Sequence, residues 1–284
     1  MRRLALLPFA VLLVAPLAPL AQTGASRTAL AIVSDTKNRS IVDVGADDFL
    51  IQEAGQTREI LSVRVADYPV VVMLDNGSDA RTDFALMRKA VGRFIDRLGT
   101  RPIAVGTLGD PPKMLTGFDD DRQTIVEALD AIEVVPTARS MMLQGAALGA
   151  ETIHATGTLF SALVVLSATP IDMSRRNADE LVASIVDSGA LLHVIANRST
   201  QIGGQLGQIR SGQVLRSIAD QTRGDYRVMY SRASYRPALD RLSDRLTSEM
   251  MVEYLVPPGS KPVDVKVGVR VAGAKVRGLG VAPR

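Results

Sequence analysis

The chain has 284 residues with 33 Lys and Arg against 30 Asp and Glu, so its formal net charge is +3. It contains neither cysteine nor tryptophan, which excludes disulfides and thiolate chemistry and leaves an aliphatic core to carry stability. Two of the basic residues, Arg2 and Arg3, lie in the leader described next; without them 31 bases face 30 acids, and with no sustained basic patch nucleic-acid binding is not expected.

Arg2 and Arg3 precede an apolar stretch over residues 4–20, broken by Pro8, Pro16 and Pro19 and followed by small residues. This is the pattern of a secretory signal over 1–25, with cleavage after Ala21 or Ala25, or of a retained N-terminal anchor. The expectation is an exported protein, periplasmic or extracellular, with no membrane span once the signal is removed. Residues 28–33 read as a strand, continued over 40–44 after a polar turn. Residues 47–53 form another strand, then a turn at Ala54-Gly55-Gln56, then period-two alternation over 58–65.

At residue 69 the pattern changes to strands alternating with helices, which argues for a parallel sheet. Residues 70–74 (Val-Val-Val-Met-Leu) form an unbroken apolar run ending in Asp75. Such a run reads as a strand buried on both faces. Helical spacing follows over 81–98, a strand over 102–108, and a short edge strand over 113–118. A helix over 122–132 begins after Asp119-Asp120-Asp121, acids suited to a helix start by capping and dipole. After a loop at 137–140, residues 141–153 form a helix rich in Ala and Gly. Residues 159–166 are a second buried strand ending at Ser167-Ala168-Thr169. Further elements are a helix over 177–188, a strand over 190–196, a polar glycine-rich loop over 197–210 and a helix over 214–222. A strand over 225–230 and a helix over 235–249 complete the α/β part. Strands at 250–256, 263–271 and 275–279 close the chain. Neither the leading nor the trailing strands suffice alone, so they are expected to pair into one β annex. The division expected is 26–66 annex, 67–250 α/β domain and 251–284 annex.

This arrangement resembles the von Willebrand factor type A fold, and more narrowly the secreted bacterial proteins described as VWFA-related. Asp47-Asp48-Phe49-Leu50-Ile51-Gln52-Glu53-Ala54-Gly55, residues 70–79, and residues 251–257 with 265–267 carry the likeness. It implies a Rossmann-like doubly wound sheet in the order 3-2-1-4-5-6 with residues 70–74 central. It also implies a metal-ion-dependent adhesion site of Asp-x-Ser-x-Ser, a Thr from a second loop and an Asp from a third. Here Asp75 matches, Gly77 and Asp79 replace the serines, Ser78 is one place off, Met141 falls nearest the Thr, and Ala168 replaces the distal Asp. Asp75, Ser78 and Asp79 are the candidate metal ligands of a degenerate site. No cofactor is expected, and weak Mg²⁺ binding is the most this set allows.

The functional reading is a non-enzymatic module that binds another protein through Asn76, Gly77, Thr137, Ser140, Ser167 and Thr169 in the loops at the strand ends. The alternatives are an exported α/β hydrolase or phosphatase using Asp75 with Ser167 or His193, and a structural component of an envelope assembly. No nucleophile elbow surrounds Ser167, no phosphate-cradling glycine loop follows a strand, and His154 and His193 lack metal-ligand spacing.

Overall fold

A computed structural model describes residues 24–169, 172–197 and 206–282. Almost all of the expected leader, and the middle of the loop expected over 197–210, lie outside these residues. Among the described residues no helix is long and apolar enough to cross a membrane.

Six strands form the main sheet: β5 (Val70–Leu74), β6 (Ile103–Thr107), β7 (Lys113–Met114), β8 (Ala162–Ser167), β9 (Leu191–Asn197) and β10 (Asp225–Met229). Their spatial order is β10-β9-β8-β5-β6-β7, with β7 alone antiparallel. Numbered within this sheet the order is 3-2-1-4-5-6, as the resemblance implies. All five residues of β5 are buried, because β6 and β8 flank it and helices cover both faces. Val70, Val72 and Leu74 pack with α1 (Phe84–Arg97), α2 (Arg122–Asp130) and α6 (Tyr235–Leu246). Val71 and Met73 pack with α3 (Met142–His154), α4 (Ala178–Asp187) and α5 (Leu206–Gln221). Each large aliphatic side chain so buried contributes about 1.5–3 kcal/mol by leaving water. Asp121 caps α2 as expected, its carboxylate accepting the Thr124 N–H at 2.7 Å.

The remaining strands are β1 (Ala25–Ser34), β2 (Phe49–Glu53), β3 (Gln56–Arg58), β4 (Ile60–Val65), β11 (Glu249–Val256), β12 (Lys266–Val269) and β13 (Lys275–Ala282). Both ends of the chain do pair, β1 lying between β11 and β13, and β2 against β12. They make two sheets rather than one annex sheet: β13-β1-β11-β4 and β12-β2-β3. The alternating run expected over 58–65 breaks at Glu59, where the chain crosses between the sheets. Residues 40–44 form no strand, only a bridge from Ser40 to Ser34. The strand expected over 263–271 shortens to β12.

The four-stranded sheet is a middle layer. Leu30, Met251, Leu279 and Ala282 face the α/β core beside Tyr68, Phe160 and Leu246. Ala31, Val33, Met250, Val252 and Tyr254 face Phe49 and Ile51 of the outer sheet. A buried Arg27–Glu53 ion pair joins the two sheets. At the seam with the body, Glu249 is fully buried. It accepts from Tyr68 OH and from Arg245 Nε at 3.2 Å. Burial pushes its carboxyl upward, and the Arg245 charge and the Tyr68 hydrogen bond pull it back. Arg101 lies over the Tyr68 ring at 4.9 Å and donates to the Leu246 carbonyl at 2.7 Å.

The helix expected over 214–222 begins at Leu206 instead. Gly212 costs roughly 1 kcal/mol in a helix interior, so that stretch reads as loop although the backbone is helical.

Truncation after Val256 removes β12 and β13 and uncovers one edge of β1. The shortened chain is expected to lose at least about 3 kcal/mol, roughly two buried apolar side chains. Urea unfolding of both chains measures this.

Candidate functional site

Strand β5 is buried to its last residue, so the chain leaves the core at Asp75, at the carboxyl edge of the sheet. Asp75 is fully buried. Its own N–H extends the ladder to the Leu166 carbonyl at 2.9 Å. One carboxylate oxygen accepts the Gly77 N–H at 3.0 Å and the other the Ala168 N–H at 3.1 Å. Asp75 therefore does not cap a helix; it ties the loop after β5 to the loop after β8. Burial is the largest influence and raises its carboxyl above the ordinary value. The two N–H groups and the nearby Ser140 hydroxyl act the other way, and the charge of Asp79 adds to the rise. Ser140 is itself buried, yet among the described residues its hydroxyl makes no hydrogen bond of ordinary geometry.

Asn76 braces the neighbouring loops. Its Nδ2 donates to the Glu133 carbonyl at 3.1 Å and its Oδ1 accepts the Gly109 N–H at 3.0 Å. Its carbonyl accepts from Val135 N–H at 2.9 Å. Loop 135–140 lies against Gly77, where a Cβ would meet the Ala138 carbonyl oxygen at 3.0 Å and Asp75 Oδ1 at 3.3 Å. That close approach accounts for glycine where the family pattern has serine. Ser78 N–H donates to Ala138 O at 2.8 Å.

Of the candidate metal ligands, Asp75 is buried, Ser78 half-buried and Asp79 exposed. Among the described residues no group of three or more His, Cys, Asp or Glu is placed to hold a metal ion. Of the six residues expected to meet a partner, only Thr137 is exposed; Asn76, Gly77, Ser140, Ser167 and Thr169 are buried. Asn76 and Ser167 are internal braces, because a loop that must hold its shape turns its short polar side chains inward to its own backbone.

Of the residues named for the hydrolase alternative, Ser167 and His193 do not come together. Ser167 Oγ donates to the Thr169 carbonyl at 2.5 Å. Residue 193 stands three positions before Ala196, the residue paired with Ser167. That is about 10 Å along the strand. By alternation His193 shares the α1/α6 face with Leu191 and Ile195, whereas Ser167 shares the α3/α5 face with Leu163 and Val165. Burial holds the His193 imidazole well below its ordinary range, followed by the charges of Arg245, Arg227 and Arg277.

A second cluster at this edge escaped the sequence reading. Asp83, directly before α1, is buried and does not cap it. Its carboxylate accepts from Asn197 Nδ2 at 2.6 Å and Thr82 Oγ1 at 3.1 Å, with Arg232 Nε at 3.9 Å. Tyr235 is fully buried, its hydroxyl unpaired among the described residues. Burial, then the charges of Asp83 and Asp75, push that hydroxyl far upward. The one local signal was Thr82-Asp83 before an apolar helix, which resembles a cap.

No protein-family model and no curated protein matches this sequence. Solved structures do. A von Willebrand factor type A protein from Catenulispora acidiphila is 13% identical with a TM-score of 0.56, covering 92% of this chain and 74% of that one. Proximal thread matrix protein 1 from the mussel byssus is 11% identical with a TM-score of 0.52, covering 64% of this chain and 48% of that one. At these identities the likeness is one of fold, and this chain has the von Willebrand factor type A fold.

Asp75→Asn leaves at least one buried N–H facing an amide donor, which costs about 1–3 kcal/mol. The pH dependence has a definite sign. A carboxyl raised on folding binds more protons in the native state, so its contribution falls as pH rises from the unfolded value of 3.8 through the raised folded one. The penalty of Asp75→Asn is therefore expected to be larger at the acid end of that window than at pH 7. Denaturant melts of both proteins across the window test it, and a pH-independent difference would contradict it.

Proposed function

We propose that this chain is an exported, non-enzymatic protein-interaction module. It binds an acidic protein partner through the rim of loops at the carboxyl ends of its strands, without a bridging divalent ion. The observation that carries this is the state of Asp75: both carboxylate oxygens are already engaged by backbone N–H groups in a fully buried position. A hard divalent ion takes about six oxygen ligands from converging loops. Here Ala168 supplies no carboxylate, Thr137 and Asp79 are exposed, and Ser78 is half-buried. These residues do not fit Mg²⁺.

The rim has the composition of a binding surface. Tyr230 is 70% exposed and Val135 41%. Arg81, Arg139 and Arg232 are exposed on the same edge. Aromatic and arginine side chains dominate interface hot spots. Beside Tyr230 lies a recess of about 380 Å³, lined in part by Val228, Met229, Pro237, Ala238 and Arg241. The bracing by Asp75 and Asn76 keeps the loops in one conformation, which lowers the ordering cost of binding. The basic, apolar and small-residue pattern of 1–25 supports export.

Two measurements test the reading. Excess Mg²⁺ and chelator are expected to give the same melting temperature within about 1 °C, because a ligand that does not bind the native state cannot stabilise it. A rise of several degrees, abolished by Asp75→Ala, overturns the metal-free mode. The double variant Tyr230→Ala, Arg81→Ala is expected to weaken capture of a partner retained by the native chain at least about tenfold, with unchanged melting. Undiminished capture moves the interface away from this edge.

A further inference from the structure

The end of the sheet opposite the rim holds a second, chemically different feature. At the amino end of the edge strand β10 a cleft of about 410 Å³ is lined by Arg216, Arg227, Arg245 and Arg277, with Asp220 and Asp225. The four arginines come from four elements: α5, β10, α6 and β13. Their convergence is a product of the fold, since no two are neighbours in sequence. Two of them are neutralised locally. Arg227 Nε pairs with Asp225 at 2.7 Å, and Arg245 Nε with the buried Glu249 at 3.2 Å. The other two are not. Arg277 is exposed and has no hydrogen bond or ion pair among the described residues. Arg216 lies over the Tyr226 ring at 5.0 Å. Stacking holds a guanidinium plane while leaving its N–H edge open, the arrangement suited to bidentate binding of phosphate.

The cleft is rigidly built. Arg245 donates to the Arg223 carbonyl at 2.6 Å, and Arg223 has a φ of 61°. At Gly224 a Cβ would stand 1.7 Å from the Leu192 carbonyl oxygen, so the chain passes there with no room for a side chain. One strand inward, paired with Asp225, lies His193, 1% exposed and with both ring nitrogens unpaired among the described residues. A buried neutral imidazole beside converging guanidiniums marks a place where positive charge is uncompensated by the protein itself.

We propose that this cleft binds a phosphate-bearing ligand, a phosphomonoester clasped between the open guanidiniums of Arg216 and Arg277. It would bridge the α/β body, which supplies Arg216, to the middle sheet, which supplies Arg277. The volume accommodates a phosphate with a small organic group and excludes a polymer lying wholly inside. The two lining acids disfavour a more highly charged polyanion by repulsion.

The test uses the full chain. Calorimetric titration with glycerol 1-phosphate, and with inorganic phosphate, is expected to show saturable one-site binding and a matching rise in melting temperature. Sodium chloride of equal ionic strength is the control for screening. Arg277→Gln and Arg216→Gln are each expected to weaken binding about tenfold, the loss of a charge-assisted pair at a partly open site. Both residues are exposed, so the variants should melt like the native chain without ligand; Arg139→Gln, on the opposite edge, should bind as the native chain does. Vesicles of phosphatidylcholine with and without phosphatidate distinguish a lipid headgroup from a soluble phosphomonoester. Arginine-dependent binding of either source supports the proposal and names that source. Absence of saturable binding of every probe at about 10 mM, an affinity too weak to be specific, overturns it. So does binding that the two glutamine variants leave unchanged.

Discussion

The buried carboxylate of Glu249 is the constraint on which the two halves of this molecule meet. It opens β11, the strand that leaves the α/β body for the middle sheet, and it has no access to water. An isolated charge there would cost several kcal/mol, and removing one partner of a buried pair typically costs 3–5 kcal/mol. Tyr68 and Arg245 supply its partners, one from just before β5 and the other from the end of α6. Arg101 covers the Tyr68 ring and takes up the last carbonyl of α6. Strand start, helix end and sheet entry are thus fixed by one set of polar contacts, and the apolar face of Leu30, Met251 and Leu279 closes over them.

The same economy governs the carboxyl edge. In the pattern this fold is known for, polar side chains at the strand ends point toward an ion. In this chain Asp75 and Asn76 use those positions to hold four loops through backbone N–H and carbonyl groups. The outward surface is left to residues that bracing does not need, such as Tyr230 and Arg81.

Much of the body was legible because a strand buried on both faces has no alternation to confuse it. Residues 70–74 and 163–166 declare themselves by unbroken apolar runs, and Asp121 by its place before an apolar-periodic helix. The split of the β annex was not legible, since the chain changes sheets at Glu59 without breaking the period-two pattern. The start of α5 was hidden by its glycines, whose low propensity is outweighed by context. The site was half readable. Asp75 stands at a strand end, which sequence order reveals. The burial of Ser140 and Ser167 depends on how neighbouring loops fold over them, and no local pattern encodes that. Asp83, Asn197 and Tyr235 come together from three distant segments, so each looks ordinary alone.

The middle sheet also sets a clock. Strand β1 precedes the whole α/β part, yet one of its partners, β13, follows it: Thr28 stands opposite Ala282. Pairings between such distant segments are slow to form, because the closure entropy of almost the whole chain is lost before any contact rewards it. Until β13 arrives, β1 carries an open row of backbone donors and acceptors beside an apolar face, the kind of edge that invites pairing with another chain. The nascent protein is therefore most vulnerable to self-association in the interval before β13 is made. A helper that shields one strand over that interval would protect this fold better than one acting on the α/β body, whose neighbouring strands are mostly close in sequence.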